Sequence, residues 1–411
     1  MANHETDKPA PGVGNAQGDI DHGTGLPLIE SGWLLIGRFE QHEQVLIEQV
    51  RDNVLKTLTG LFPDFRWEMP VVTRPVHGDV PRPESVEWLL IGQMERHRRH
   101  WDYVFVVTRQ RPTSYFHSQA MAMVSKVLSC ALLSLEPFIG EDEFPGARMH
   151  DLTALTLHLF GDLHGLPHGT DSTEFMYPPS TRDDLQQMDH FRSENRALLG
   201  RELTDTADAR LEERTRGRDV WKVGFYSRTL YQVGDDVIRA TLQAKPWEFP
   251  LRLAGLSTAA VSTLLILIMT AEVWELGMRQ SISKVASLSL LIWIIASGVV
   301  LVRHDLWLAL DRRHLTEQIA VTNLAMTMIV MVGMGTTYVL LLLLGLGLGY
   351  ILFDATLITS WAGSGADPGR FAQRLSLAGL LACLGITIGA LGASFQGRHH
   401  FRHVVYVDEE I

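Results

Sequence analysis

The residues best suited to chemistry lie in one short string, His158-Leu-Phe-Gly-Asp162-Leu-His-Gly165-Leu-Pro-His168. Asp151 reads as an N-cap for a helix running through Leu163. On that helix His158 and Asp162 are four apart and share a face. Gly165 then breaks the helix, and His168 follows on the returning chain. Two side chains from a helix and a third beyond a glycine turn can converge on one metal ion. Imidazole and carboxylate are both competent zinc ligands. His164 lies about 240° round the helix from His158, which makes it a packing or surface residue.

Other readings of the string stay open. His158 and Asp162 can form a plain hydrogen-bonded pair. Two His and one carboxylate also describe the facial triad of non-haem iron enzymes.

The spacing of Gly165 and His168 after His158 resembles HExxHxxGxxH, the motif of the metzincin metalloproteases. Eight residues after His168 comes Met176, within Phe175-Met176-Tyr177-Pro178-Pro179, which resembles that family's Met-turn. Arg182-Asp183-Asp184-Leu185 resembles the start of its last helix. The resemblance covers roughly residues 30–200 and suits the archaemetzincin branch. It implies zinc held by His158, Asp162 and His168. Two departures carry more weight than the matches. The general-base Glu is replaced by Leu159, and the second His ligand by Asp162. Loss of a positioned base costs about 10²–10⁴ in rate. A His2Asp set also halves the net charge on zinc.

The elements that must position this string are of mixed type. Gly32–Gly37 and Tyr103–Thr108 read as buried strands, the second as the central one. Residues 40–61 show helical spacing at Val45, Ile47, Val50, Val54 and Leu58. Phe65–Val72 reads as a second strand, and Val86–Ile91 as another that leads into a polar helical stretch. Residues 121–135 fit strand or helix. Arg96-His97-Arg98-Arg99-His100 reads as a basic helix end complementing its dipole, with anionic lipid headgroups as the alternative partner. The expected fold class is α+β, a metzincin-like mixed sheet with an active-site-type helix, followed by an all-α transmembrane bundle.

The chain has 411 residues and a net charge of −11, which argues against nucleic acid as a partner. Two cysteines, Cys130 and Cys383, are too few for a disulfide framework. Apolar residues concentrate after Pro250. Stretches at about 251–272, 285–302 and 375–395 each suit one crossing of about 20 residues. Residues 319–353 are long for one span, and Gly333 and Gly335 lie near the middle. One long helix is the preferred reading, which gives four crossings.

With the soluble part inside, inner segments carry Lys245, Arg252, Arg303, Arg312, Arg313, Arg398 and Arg402. Outer loops carry Arg279, Lys284, Arg370 and Arg374. This bias, and no apolar signal segment before residue 251, place both termini in the cytoplasm. The spans carry no central charge, which argues against an ion or proton path. Gly345 and Gly349, and Gly385 and Gly389, have the spacing of close helix packing.

The divisions expected are a disordered tail (1–27) and a cytosolic metzincin-like domain (28–200). A charged linker with an amphipathic juxtamembrane helix (201–249) follows, then the membrane region (250–396) and a cytosolic tail (397–411). His399, His400 and His403 read as part of a basic, headgroup-facing tail.

The function expected is a membrane-anchored, catalytically inactive binding, sensing or regulatory module. Zinc is its one candidate cofactor. The bilayer and a protein partner, or a second copy met through the membrane helices, are its expected contacts. An active membrane-anchored metalloprotease and a regulated channel or carrier are the competing readings.

Overall fold

The computed structural model describes residues 26–75, 85–115, 120–139, 145–215, 238, 241–242, 244–306, 317–362, 370–395 and 398–411. Its fold is α+β followed by a helical region. The disordered-tail reading of residues 1–25 and most of the juxtamembrane helix expected at 220–243 lie outside the described residues.

The amino-terminal half builds a mixed sheet. Its strands are β1 (Leu28–Ile36), β2 (Arg66–Glu68), β3 (Val71–Arg74), β4 (Tyr103–Thr108), β5 (Ala122–Ser125) and β6 (Cys130–Ser134). A seventh, β7 (Glu409–Glu410), comes from the far end of the chain. The order is β2-β1-β4-β6-β5-β7, with β3 also beside β1. β1, β4 and β6 run parallel, whereas β5 is antiparallel to β6 and β7 to β5. All six residues of β4 are buried, as a parallel strand covered on both faces requires.

Alternation divides the apolar side chains into two cores. Trp33, Leu35, Phe105 and Val107 face α1 (Gln41–Leu61) and α3 (Pro145–Leu163), which is followed by α4 (Arg182–Leu185) and α5 (Ser193–Thr215). Leu34, Ile36, Val104 and Val106 face α2 (Ser85–Arg99).

Three local expectations change. Val86–Ile91 is the first part of α2, not a strand. The run is apolar enough for either, but β3 and β4 both run parallel to β1, and such a connection needs a crossover helix. Val86 and Leu89, one turn apart, supply its buried face. The strand expected at Phe65–Val72 is two strands, interrupted at Met69-Pro70. Residues 121–135 resolve as the β5–β6 hairpin. The basic run does end a helix, but Arg96 is buried and its Nε donates to the Asp102 carbonyl at 2.8 Å. Arg98 and His100 remain exposed.

Three helices after Pro250 are long and apolar enough to cross a membrane. They are α8 (Ile282–Arg303), α9 (Glu317–Ile351) and α11 (Phe371–Phe395). Residues 319–353 therefore form one helix up to Ile351, not two. The first apolar stretch is broken: the helical segment Pro246–Arg252 meets α6 (Ala254–Ile268) at a bend of 77°. α6 alone spans roughly 22 Å, short of the hydrocarbon thickness. The short helices α7 (Ala271–Arg279) and α10 (Ala355–Ala362) flank the spans.

α11 is the central member, with two thirds of its apolar window buried. A Cβ on Gly385 or Gly389 would press on the α6 backbone at Ala260 or Leu256. Gly345 and Gly349 have ordinary contacts, with Leu264 and Leu381 and with Trp274 respectively.

Residues 398–411 differ most from expectation. α12 (Arg398–Tyr406) packs on α2, and β7 closes the sheet. His403 is buried and pairs with Glu410, so it does not face headgroups. The apolar core on the α2 side runs without a break through Phe401 and Tyr406 to Phe249 and the long apolar helices.

Candidate metal centre

α3 begins at Pro145, so Asp151 lies inside the helix and does not cap it. Pro suits a first helical turn because it has no amide hydrogen to leave unpaired. The buried Asp151 instead accepts a hydrogen bond from Arg182 Nε at 2.8 Å. At the other end Gly165 has φ +69°, a left-handed conformation that ends the helix and returns the chain toward it.

That return brings His158, Asp162 and His168 together. Their donor atoms all lie within 4.8 Å of one another. His158 Nε2 is 3.1 Å from Asp162 Oδ2, and His168 Nε2 is 3.0 Å from Asp162 Oδ1. His158 and Asp162 are buried, while His168 stands at the rim. The two imidazole rings stack with centroids 5.4 Å apart.

The turn at Phe175–Tyr177 holds the cluster from below. His158 Nδ1 lies 2.6 Å from the Phe175 carbonyl oxygen. A carbonyl only accepts, so Nδ1 carries the proton and Nε2 faces Asp162. Gly169 N donates to the Met176 carbonyl at 2.8 Å, tying the His168 loop to the same turn. Met176 is fully buried, and its sulfur occupies the space a Cβ on Gly161 would need. Tyr177 is half-buried and Pro178 exposed. Leu159 points into the core and is fully buried.

The electrostatics identify what the cluster lacks. Neither His158 Nε2 nor Asp162 Oδ2 makes a hydrogen bond of acceptable geometry, and both are buried. With Nδ1 protonated, neutral His158 turns a lone pair toward a carboxylate oxygen. Two acceptors at 3.1 Å need a cation between them, either a proton on Nε2 or a metal ion. Burial pushes the His158 pKa down, but Asp162 and the Phe175 carbonyl outweigh it and the net shift is upward. Burial would raise Asp162, and the two histidines instead hold it down to about 2.

The spacing also fits a metal. Donors about 2.1 Å from one tetrahedral ion sit roughly 3.4 Å apart. A metal-bound His whose other nitrogen donates to a backbone carbonyl is the usual supporting arrangement. His164 stands apart, sandwiched by Tyr103 and Phe160. Burial lowers its pKa to about 4.

One neighbour was not legible in the string. Glu409 Oε1 lies 3.5 Å from His168 Nε2. No spacing rule links residues 168 and 409, and only the pairing of β7 with β5 brings them together.

No family model matches the sequence, and no curated protein does. Solved structures similar to it include archaemetzincin from Methanopyrus kandleri, at 15% identity and a TM-score of 0.36, covering 45% of this chain and 99% of that one. A zinc-dependent peptidase from Methanocorpusculum labreanum is similar at 20% identity and a TM-score of 0.33, covering 41% and 99%. Archaemetzincin from Archaeoglobus fulgidus, complexed with malonate, has 12% identity and a TM-score of 0.29 over 41% and 99%.

Proposed function

We propose that this chain is an integral membrane protein whose soluble domain, a metallopeptidase-like module, binds or senses and does not cleave peptides. In this reading one zinc ion is held by His158, Asp162 and His168. The observation that carries it is the buried, facing pair of acceptors His158 Nε2 and Asp162 Oδ2. A site decayed to a plain core would have little reason to keep them so.

What supports the loss of peptidase chemistry is Leu159. It stands where the resembled motif has its base, and its side chain is packed in the core. A bound zinc would supply positive charge for an anionic or carbonyl group. Asp162 would leave it less than the charge a three-histidine site gives.

The soluble domain and both ends of the chain lie in the cytoplasm in this proposal, on the strength of the basic bias of the inner segments. The outward apolar faces of α8 and α9, such as Leu290, Leu291, Val339 and Leu343, suit lipid or a second copy.

Metal analysis of the full chain, purified in detergent, tests the site. The expected result is one zinc per chain, lost in His168→Ala. Zinc retained by that variant would sink the ligand assignment. The expected peptidase activity is nil.

A second reading has one observation in its favour. Glu409 is a carboxylate beside His168 and could serve as a relocated base. Zinc-dependent hydrolysis that disappears in Glu409→Gln would establish it.

A further inference from the structure

An open sheet edge is a template for an extended chain. β5 would be such an edge, but β7 covers it after the chain has traversed the whole helical region. Val124 pairs with Glu409 and Met123 with Glu410. The Asp408 amide donates to the Val124 carbonyl at 2.9 Å, and Ile411 and Ala122 exchange two hydrogen bonds of 3.0 Å. The Lys126 amide donates to Asp408 Oδ2 at 2.6 Å.

Strand alternation sends neighbouring side chains of this segment to opposite faces. Glu410 turns toward α12, where it accepts from Ser114 Oγ and from the Tyr115 amide and pairs with His403. Glu409 and Ile411 turn toward α3. Ile411 packs against the core that α3 shares, and Glu409 reaches the rim of the His/Asp/His cluster. Placing a second carboxylate beside Asp162 is unfavourable by Coulomb's law unless positive charge lies between them.

We propose that the outer edge of β5 and the adjoining cluster form a groove for an extended acidic segment, and that residues 408–411 of this chain are its resident occupant, anchored by Glu409. The anchoring role rests on the proposed cation at His158, Asp162 and His168, whereas the backbone pairing does not. The occupant closes the groove to any other extended chain. It is also tethered: Tyr406 Oη donates to the Leu306 carbonyl at 2.7 Å, and Arg402 Nε to that of His304 at 3.0 Å, fastening α12 to the chain that leaves α8. Withdrawal of the strand is thereby linked to the position of the membrane helices.

The test uses the full chain in detergent, a variant lacking residues 408–411, and a labelled synthetic peptide of residues 405–411. The deletion variant should bind the peptide, and the intact chain should bind it roughly tenfold or more weakly. Equal binding by the two would overturn occupancy. With zinc present, a peptide carrying Gln at position 409 should bind the deletion variant roughly tenfold more weakly; an unchanged affinity would remove Glu409 as the anchor.

Should the deletion variant fail to fold, hydrogen exchange at the Met121 and Ala122 amides of the intact chain gives the same answer. Protection in the native chain and about tenfold faster exchange in Glu409→Gln support the proposal. Fast exchange in the native chain refutes it. The two readings fail separately. A chain that carries no zinc on metal analysis yet binds the peptide would sink the metal site and leave the groove, while stoichiometric zinc without peptide binding or amide protection would sink the groove alone.

Discussion

The two halves of this molecule use the same apolar residues under opposite rules. In the sheet domain Trp33, Leu34, Phe105 and Val106 are wholly buried, and polar side chains cover the outside. In α8 the order reverses: Leu290, Leu291, Ile294 and Ile295 are each about half exposed. Buried ionisable groups divide just as sharply. The domain gathers His158, Asp162 and Glu174 around the end of α3, whereas the long apolar helices bury hydroxyls such as that of Thr337, which donates to the Gly333 carbonyl within its own helix. Burying a charge is tolerated only where partners or a cation compensate it. The candidate metal site therefore lies in the domain, and the helices present a surface suited to lipid.

The comparison breaks first at its most costly point. Removing Asp162 leaves His158 buried without its partner. Asp162→Ala should lower the stability of the metal-free domain by about 3–5 kcal/mol, read by chelator-treated thermal unfolding. A neutral result would show that the cluster is not held as an ion pair.

The two surfaces can then be set against each other directly. Leu291 and Val45 are 55% and 46% exposed. Leu291→Asp should cost about 2.5–3.5 kcal/mol of membrane insertion, whereas Val45→Asp should change stability by about 0.5 kcal/mol or less. Equal tolerance, measured by membrane integration and melting, would remove α8 from the bilayer.

A smaller effect tests how the domain holds its site. Gly161→Val places atoms where the Met176 sulfur lies. The expected loss is about 1–3 kcal/mol, with partial recovery when Met176→Ala is added. No recovery would mean that the glycine serves something other than this contact.

The smallest effect concerns the join between the halves. Burial raises the Asp408 pKa to about 6, against the Lys126 and Arg252 charges that lower it and the Glu409 charge that raises it further. A raised folded-state value means the favourable contribution is complete below the ordinary value near 4 and is lost as pH rises through about 6. Exchange of the amides of residues 408–411 should therefore accelerate, after correction for intrinsic rates, between pH 4 and 7. The Asp408→Asn variant should lack this acceleration.

Much of this protein was legible in its sequence, because the relevant signals are local. The three helices long and apolar enough to cross a membrane follow from composition, since about 20 apolar residues in a row have few other solutions, whereas the break in the first apolar stretch does not. His158 and Asp162 share a face because they are four apart on a helix, and Gly165 returns His168 because it tolerates a left-handed backbone. The Met176 turn, eight residues further on, needed no distant partner to be recognised.

Other features needed the folded chain. Val86–Ile91 has the composition of a strand, and only the parallel partners β3 and β4 make it a crossover helix. Asp151 resembles a cap by residue type, but Pro145 starts the helix earlier and Arg182 takes the carboxylate. Residues 397–411 resemble a tail because nothing near them in sequence shows what they pair with. Sheet pairing is non-local, and the backbone groups of β5 can bond any extended segment that reaches them. The long route through the apolar helices delivers β7 to that edge, and strand alternation then turns Glu409 toward the histidines. The sequence alone determined which residues could hold a cation, and the tertiary structure decided which carboxylate from the far end of the chain would meet them.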